Sequence, residues 1–138
     1  MREVLPERLW LSNAVEVGDV RRVLSFGVEA LVDLAADEPI LVHLPRDLVY
    51  LRFPLVDGDG NNSSVIQAAV DVASHFVKTE IPTVVFCSAG LSRSPCIVAA
   101  AIAKARGIDP HTSLEQVVKD PPSDISPLLW QSIVNACF

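Results

Sequence analysis

Cysteine is scarce in this chain of 138 residues: there are three, Cys87, Cys96 and Cys137. An odd number with no C-x-x-C pair argues against a disulfide framework or a structural zinc site, and leaves room for a reduced thiol with its own chemistry. Positive charge is also short, with 11 Lys and Arg against 17 Asp and Glu, a net charge of −6. Broad attraction to nucleic acid or to an anionic membrane surface is therefore not expected, and any anionic ligand must be captured locally. Long hydrophobic runs are missing as well. The longest, Cys96 to Ala103, has eight residues, whereas a membrane-crossing helix needs about 20. The opening stretch, Met1 to Arg8, carries acids and a proline before any apolar run. That is unlike a secretory signal peptide, so a cytoplasmic location is expected. The three histidines, His43, His75 and His111, are scattered singly and form no ligand pair. No metal is expected.

Hydrophobic residues make up 50% of the chain, enough for a real core, and the length is that of one compact domain covering 1–138. Leu9-Trp10-Leu11 reads as a first strand, and Asp19 can cap a short helix that Gly27 stops. Val28 to Leu34 is apolar at nearly every position, as in a strand buried on both faces, and Val49 to Leu55 is a further strand. Asp57 to Ser63 is a loop by composition. Ser64 with Gln67 three residues later predicts a capping box for a helix whose buried stripe is Val65, Ala69, Val72 and Phe76. Ile81 to Phe86 is the clearest strand, and a helix with Pro95 in its first turn runs from there to Gly107. Asp109-Pro110 opens another helix to about Lys119, and Ile125 to Cys137 predicts a last one with Leu129 and Ile133 inward. The pattern is α/β, a central mostly parallel sheet flanked by helices.

Between strand and helix lies Cys87-Ser88-Ala89-Gly90-Leu91-Ser92-Arg93-Ser94. Backbone N–H groups from Ser88 to Arg93 can point into one concavity, Gly90 permits the positive φ such a nest often needs, and the helix end adds positive potential. The same field, with the Arg93 guanidinium and the Ser94 hydroxyl, is expected to lower the Cys87 pKa and make it a thiolate nucleophile. Cys96, among Ile97, Val98 and Ala99, reads as core, and Cys137 has no partners. Asp57-Gly58-Asp59-Gly60-Asn61 imitates a calcium loop but has Asn62 where the loop needs Gly and Ala68 where it needs the closing Glu.

The segment from Cys87 to Ser94 resembles the signature of the protein-tyrosine phosphatase superfamily, specifically its compact dual-specificity branch: Cys, five residues, Arg, then Ser or Thr. The order of the other elements is similar over essentially the whole chain. The resemblance implies a protein-tyrosine-phosphatase-like fold and hydrolysis of phosphotyrosine and phosphoserine or phosphothreonine, without a cofactor. In that reading Cys87 attacks phosphorus to form a phosphocysteine, and the amides of Ser88, Ala89, Gly90, Leu91 and Ser92 cradle the phosphate with a bidentate Arg93. Ser94 helps the sulfur leave. Phosphate or sulfate should bind this loop, and the substrate is a phosphoprotein or a small phosphate monoester, with no nucleic-acid or membrane partner. Asp57, following Phe53-Pro54-Leu55-Val56, takes the general-acid position, with Asp59 as its rival. Phe86 stands where the family usually has His before the cysteine, and its ring is expected to desolvate the sulfur. Two other readings stay open: a weakly catalytic phosphate-binding module, and a phosphatase for a phosphoinositide, nucleotide or RNA phosphate.

Overall fold

The computed structural model describes residues 1–138. Its eleven elements are β1 (Arg2–Leu5), β2 (Leu9–Asn13), α1 (Ala14–Gly18), α2 (Val20–Leu24), β3 (Ala30–Ala35), β4 (Val49–Leu55), α3 (Ser63–Thr79), β5 (Thr83–Cys87), α4 (Arg93–Arg106), α5 (Pro110–Val118) and α6 (Pro127–Cys137). One sheet runs in the order β1-β2-β5-β3-β4, antiparallel between β1 and β2 and parallel elsewhere. β5 is therefore the middle strand, and β3 beside it is buried at all six positions, which explains its nearly continuous apolar sequence. No helix is long and apolar enough to cross a membrane.

The two faces of the sheet are unequal. Trp10, Val17, Val23, Val28, Leu31, Val84 and Phe86 form a small core under α1 and α2. On the other face a cluster of 22 buried residues joins the sheet to α3, α4, α5 and α6. Its centre is α4, which is buried at every position from Arg93 to Ala103 because α3, α5 and α6 pack around it. A helix apolar on all sides belongs in such a place.

Three local expectations change. β1 escaped the sequence reading because it is a four-residue edge strand carrying Arg2 and Glu3, too short and too charged to show a period. The cap of α3 is Asn62, whose side chain accepts from Ser64 N at 2.8 Å. Ser64 lies inside the helix, and Gln67 donates to Ala136 O at 2.8 Å instead of closing a capping box. Asn caps as well as Ser does. The face of α3 buried against the core is Ile66, Ala69, Val70, Ala73 and Ser74, and Val72 is only partly buried. Val65 and Phe76 are only partly buried against the core. Asp33, in the run read as apolar, is 1% exposed; it accepts from Ala35 N at 2.9 Å and from the Tyr50 hydroxyl.

Candidate active site

β5 ends at Cys87, at the carboxyl edge of the parallel strands, where open α/β sheets place their ligands. Side chains alternate along a strand, so Val85 and Cys87 face α4 while Val84 and Phe86 face the smaller core. This corrects one expectation: the Phe86 ring packs in the layer of Trp10, across the sheet from the sulfur, and does not cover it.

The chain turns at Gly90, with φ 74°, and only glycine fits there. A Cβ would sit 2.8 Å from Ser12 O, besides the cost of the left-handed backbone. Gly90 N donates to Cys87 Sγ at 3.2 Å, and Ser94 Oγ lies 3.3 Å from the same sulfur. The amides of Ala89, Leu91 and Ser92 have no protein acceptor. Ser92 precedes α4 but does not cap it, since its Oγ accepts from Ser126 N at 2.9 Å. The positive end of a fourteen-residue helix is thus left open toward the sulfur, which suits an anion. Outer contacts fix the loop: Ala14 N donates to Ser88 O at 3.2 Å and Asp124 N to Leu91 O at 2.9 Å.

Arg93 opens α4 with its side chain only 8% exposed. Burying a guanidinium is costly unless its donors are matched, and Nη1 donates to Leu55 O at 2.9 Å and to Asp37 Oδ1 at 2.7 Å. The Arg93 hydrogen bond lowers the Asp37 pKa to about 2, against a smaller opposing effect of desolvation. Sequence reasoning missed Asp37. Its signal was an acid two residues past a buried strand, on the edge of the sheet that carries Cys87.

Asp57, Cys87, Ala89, Leu91, Ser92, Arg93 and Asp124 line one cavity of about 100 Å³. The structure therefore brings Asp57 to the cysteine, whereas Asp59 is not among the lining residues. Asp124 was also missed; it follows Pro121-Pro122, which reads only as a break. Of the other cysteines, Cys96 is buried in the large core, and desolvation is the main cause that pushes its thiol far up. Cys137 is raised as well, chiefly by burial. His111 Nδ1 accepts from Trp130 Nε1 at 3.1 Å, and no cluster of three or more His, Cys, Asp or Glu is placed to hold a metal ion.

The architecture is that of dual-specificity phosphatases. Human DUSP28 matches with a TM-score of 0.82 at 20% identity, over 99% of this chain and 94% of that one. Human tyrosine phosphatase-like serine/threonine/tyrosine-interacting protein matches with a TM-score of 0.81 at 18% identity, over 98% and 93%. DUSP15 matches with a TM-score of 0.75 at 21% identity, over 98% and 85%. No protein family and no curated protein matches the sequence.

Proposed function

We propose that residues 1–138 form a cysteine-dependent phosphatase domain that hydrolyses phosphate monoesters, phosphotyrosine and phosphoserine or phosphothreonine, through a phosphocysteine. The observation that carries this reading is the position of Cys87 Sγ, under the open amides before α4 and beside a buried Arg93. In the first step the Cys87 thiolate attacks phosphorus in line with the ester oxygen. The amides from Ser88 to Ser92 and the Nε and Nη2 donors of Arg93 hold the phosphoryl oxygens as charge spreads over them. Asp57 protonates the leaving oxygen; in the second step it takes a proton from water, which attacks the phosphocysteine and releases phosphate. Ser94 Oγ, 3.3 Å from the sulfur, donates to the departing thiolate. No cofactor enters this chemistry.

The small cavity, about 100 Å³, suits phosphate on a protein side chain or a small aryl phosphate, in a cytoplasmic setting. Ser88, Ala89, Leu91 and Ser92 add no charge to the loop, so clustered phosphates of lipids or nucleotides are disfavoured. A second reading, a phosphate-binding module with little turnover, is favoured by Phe86 in place of the histidine usual in the resembling family. Hydrolysis of a small aryl phosphate and of a phosphopeptide panel by wild type and Cys87→Ser decides between them. Turnover by wild type alone is expected. Phosphate binding with no turnover of any substrate would replace the enzyme reading with the binding module.

A further inference from the structure

We infer that Asp37 is a specificity-determining residue, a built-in counter-ion that weakens the grip of Arg93 on bare phosphate dianions and offers a partner to a cation beside the phosphorylated group. The inference rests on the reading that phosphate enters the loop at Arg93. It starts from the donors of that side chain. A guanidinium has five N–H groups. Both on Nη1 are engaged, by Asp37 Oδ1 at 2.7 Å and Leu55 O at 2.9 Å. Nη2 reaches Asp37 Oδ2 only at 3.5 Å, and Nε has no protein acceptor. The Nε–Nη2 edge is free for a bidentate phosphate, so Asp37 need not leave when the anion arrives. It stays as a fixed negative charge on the far side of the same guanidinium.

The two partners of the pair differ in exposure. Arg93 is 8% exposed and Asp37 60%. Leu55 O and Asp37 Oδ1 together match the two Nη1 donors, and an Asn at position 37 keeps an acceptor there, so Asp37→Asn removes the charge without removing the bond. Its low pKa, about 2, keeps Asp37 ionised throughout the working pH range. Oδ2 has no short partner, so a Lys or Arg flanking the phosphorylated residue can pair with it from solvent. Asp57 and Asp124 line the cavity over Cys87, but only Asp37 pairs with the Arg93 guanidinium.

The test is binding, which does not depend on turnover. Inorganic phosphate is titrated into wild type, Asp37→Asn and, as a control for general charge removal, Glu115→Gln on α5. Asp37→Asn keeps an acceptor for Nη1 and should bind phosphate roughly 3- to 10-fold tighter, the size expected of one screened charge acting on a dianion. Glu115→Gln should match wild type. In the Cys87→Ser background, two phosphotyrosine peptides differing only in a flanking Lys or Glu should bind with a preference for Lys that Asp37→Asn abolishes. Weaker or unchanged phosphate binding by Asp37→Asn, equal tightening by Glu115→Gln, or a Lys preference that survives Asp37→Asn overturns the inference. Absence of phosphate binding in every variant overturns it too. Failure of the enzyme reading is a different result: no aryl phosphate turnover, with the phosphate titrations still responding to Asp37.

Discussion

Two loops meet at the cavity, and they are built differently. The 88–92 loop is held from several sides: Ala14 N on Ser88 O, Ser12 O against Gly90, Asp124 N on Leu91 O and Ser126 N on Ser92 Oγ. The loop bearing Asp57 is exposed and held mainly by Asn61, whose side chain accepts from Val56 N at 2.9 Å and donates to Val56 O at 2.9 Å and Gly58 O at 3.3 Å. A nest of amides works only if its donors are already aimed when charge develops, so rigidity there would contribute directly to the proposed reaction. A proton donor has to approach and withdraw, and a loop tied by one side chain permits that. The substitutions that follow test this division of labour.

The largest effect should come from removing the proposed nucleophile. Cys87→Ser is expected to lower kcat on the order of 10⁴-fold or more while phosphate still binds, because the amides and Arg93 remain. The other thiols cannot substitute. Burial raises both Cys96 and Cys137, and a raised pKa means less thiolate at neutral pH. Iodoacetate at pH 7 should therefore label Cys87 first and phosphate should protect it, as read by peptide mass mapping. Faster labelling of Cys137 would move the reactive thiol elsewhere.

Next in size is the acid. Asp57→Asn should slow phenyl phosphate, with its poor leaving group, by about 10²–10³-fold. Asp59→Asn should leave it within a few-fold of wild type, because Asp59 does not line the cavity. The reverse ranking would transfer the role and break the correspondence between cavity lining and function.

The rigid loop was the more legible of the two in the sequence. Its properties are covalent and local: a strand end, a glycine, and an arginine opening a helix, all within eight consecutive residues. Asp57 could be placed because the resemblance sets the general acid just past the strand that ends at Leu55. What the sequence hid was tertiary. Asp37 and Asp124 reach the site from segments whose local pattern signals only a strand end and a proline break. The side on which Phe86 packs was legible, since neighbours in a strand face opposite ways and Phe86 directly precedes Cys87; the expectation that its ring desolvates the sulfur ignored that alternation. β1 was invisible because pairing with β2, rather than its own pattern, makes it a strand.

Gly90→Ala tests the rigid loop, with an effect between those expected at Asp57 and at Asn61. The new methyl must adopt φ 74° and meet Ser12 O at 2.8 Å. Strain of this kind costs about 1–3 kcal/mol, and the backbone can relieve it only by turning amides away from the nest. Phosphate affinity should fall roughly 10-fold or more, since several charge-assisted hydrogen bonds are misaimed together, accompanied by a lower Tm. A normal phosphate titration with a lowered Tm would show that the loop's fixed shape serves folding rather than the anion.

The smallest effect is expected at Asn61. Its hydrogen bonds lie near the surface, where each contributes about 0.5–1.5 kcal/mol net, and water can replace them, so Asn61→Ala should leave Tm close to wild type. It should still allow Asp57 to wander, which lowers the fraction of time the carboxyl sits over the leaving oxygen. Only reactions that need the proton will register this. Phenyl phosphate turnover should drop a few-fold, while para-nitrophenyl phosphate, whose leaving group departs without much help, should be nearly unaffected, and phosphate affinity should not move. Equal losses on both substrates would mean that Asn61 supports the 88–92 loop as well as the loop bearing Asp57, and the two would then have to be treated as one mechanical unit.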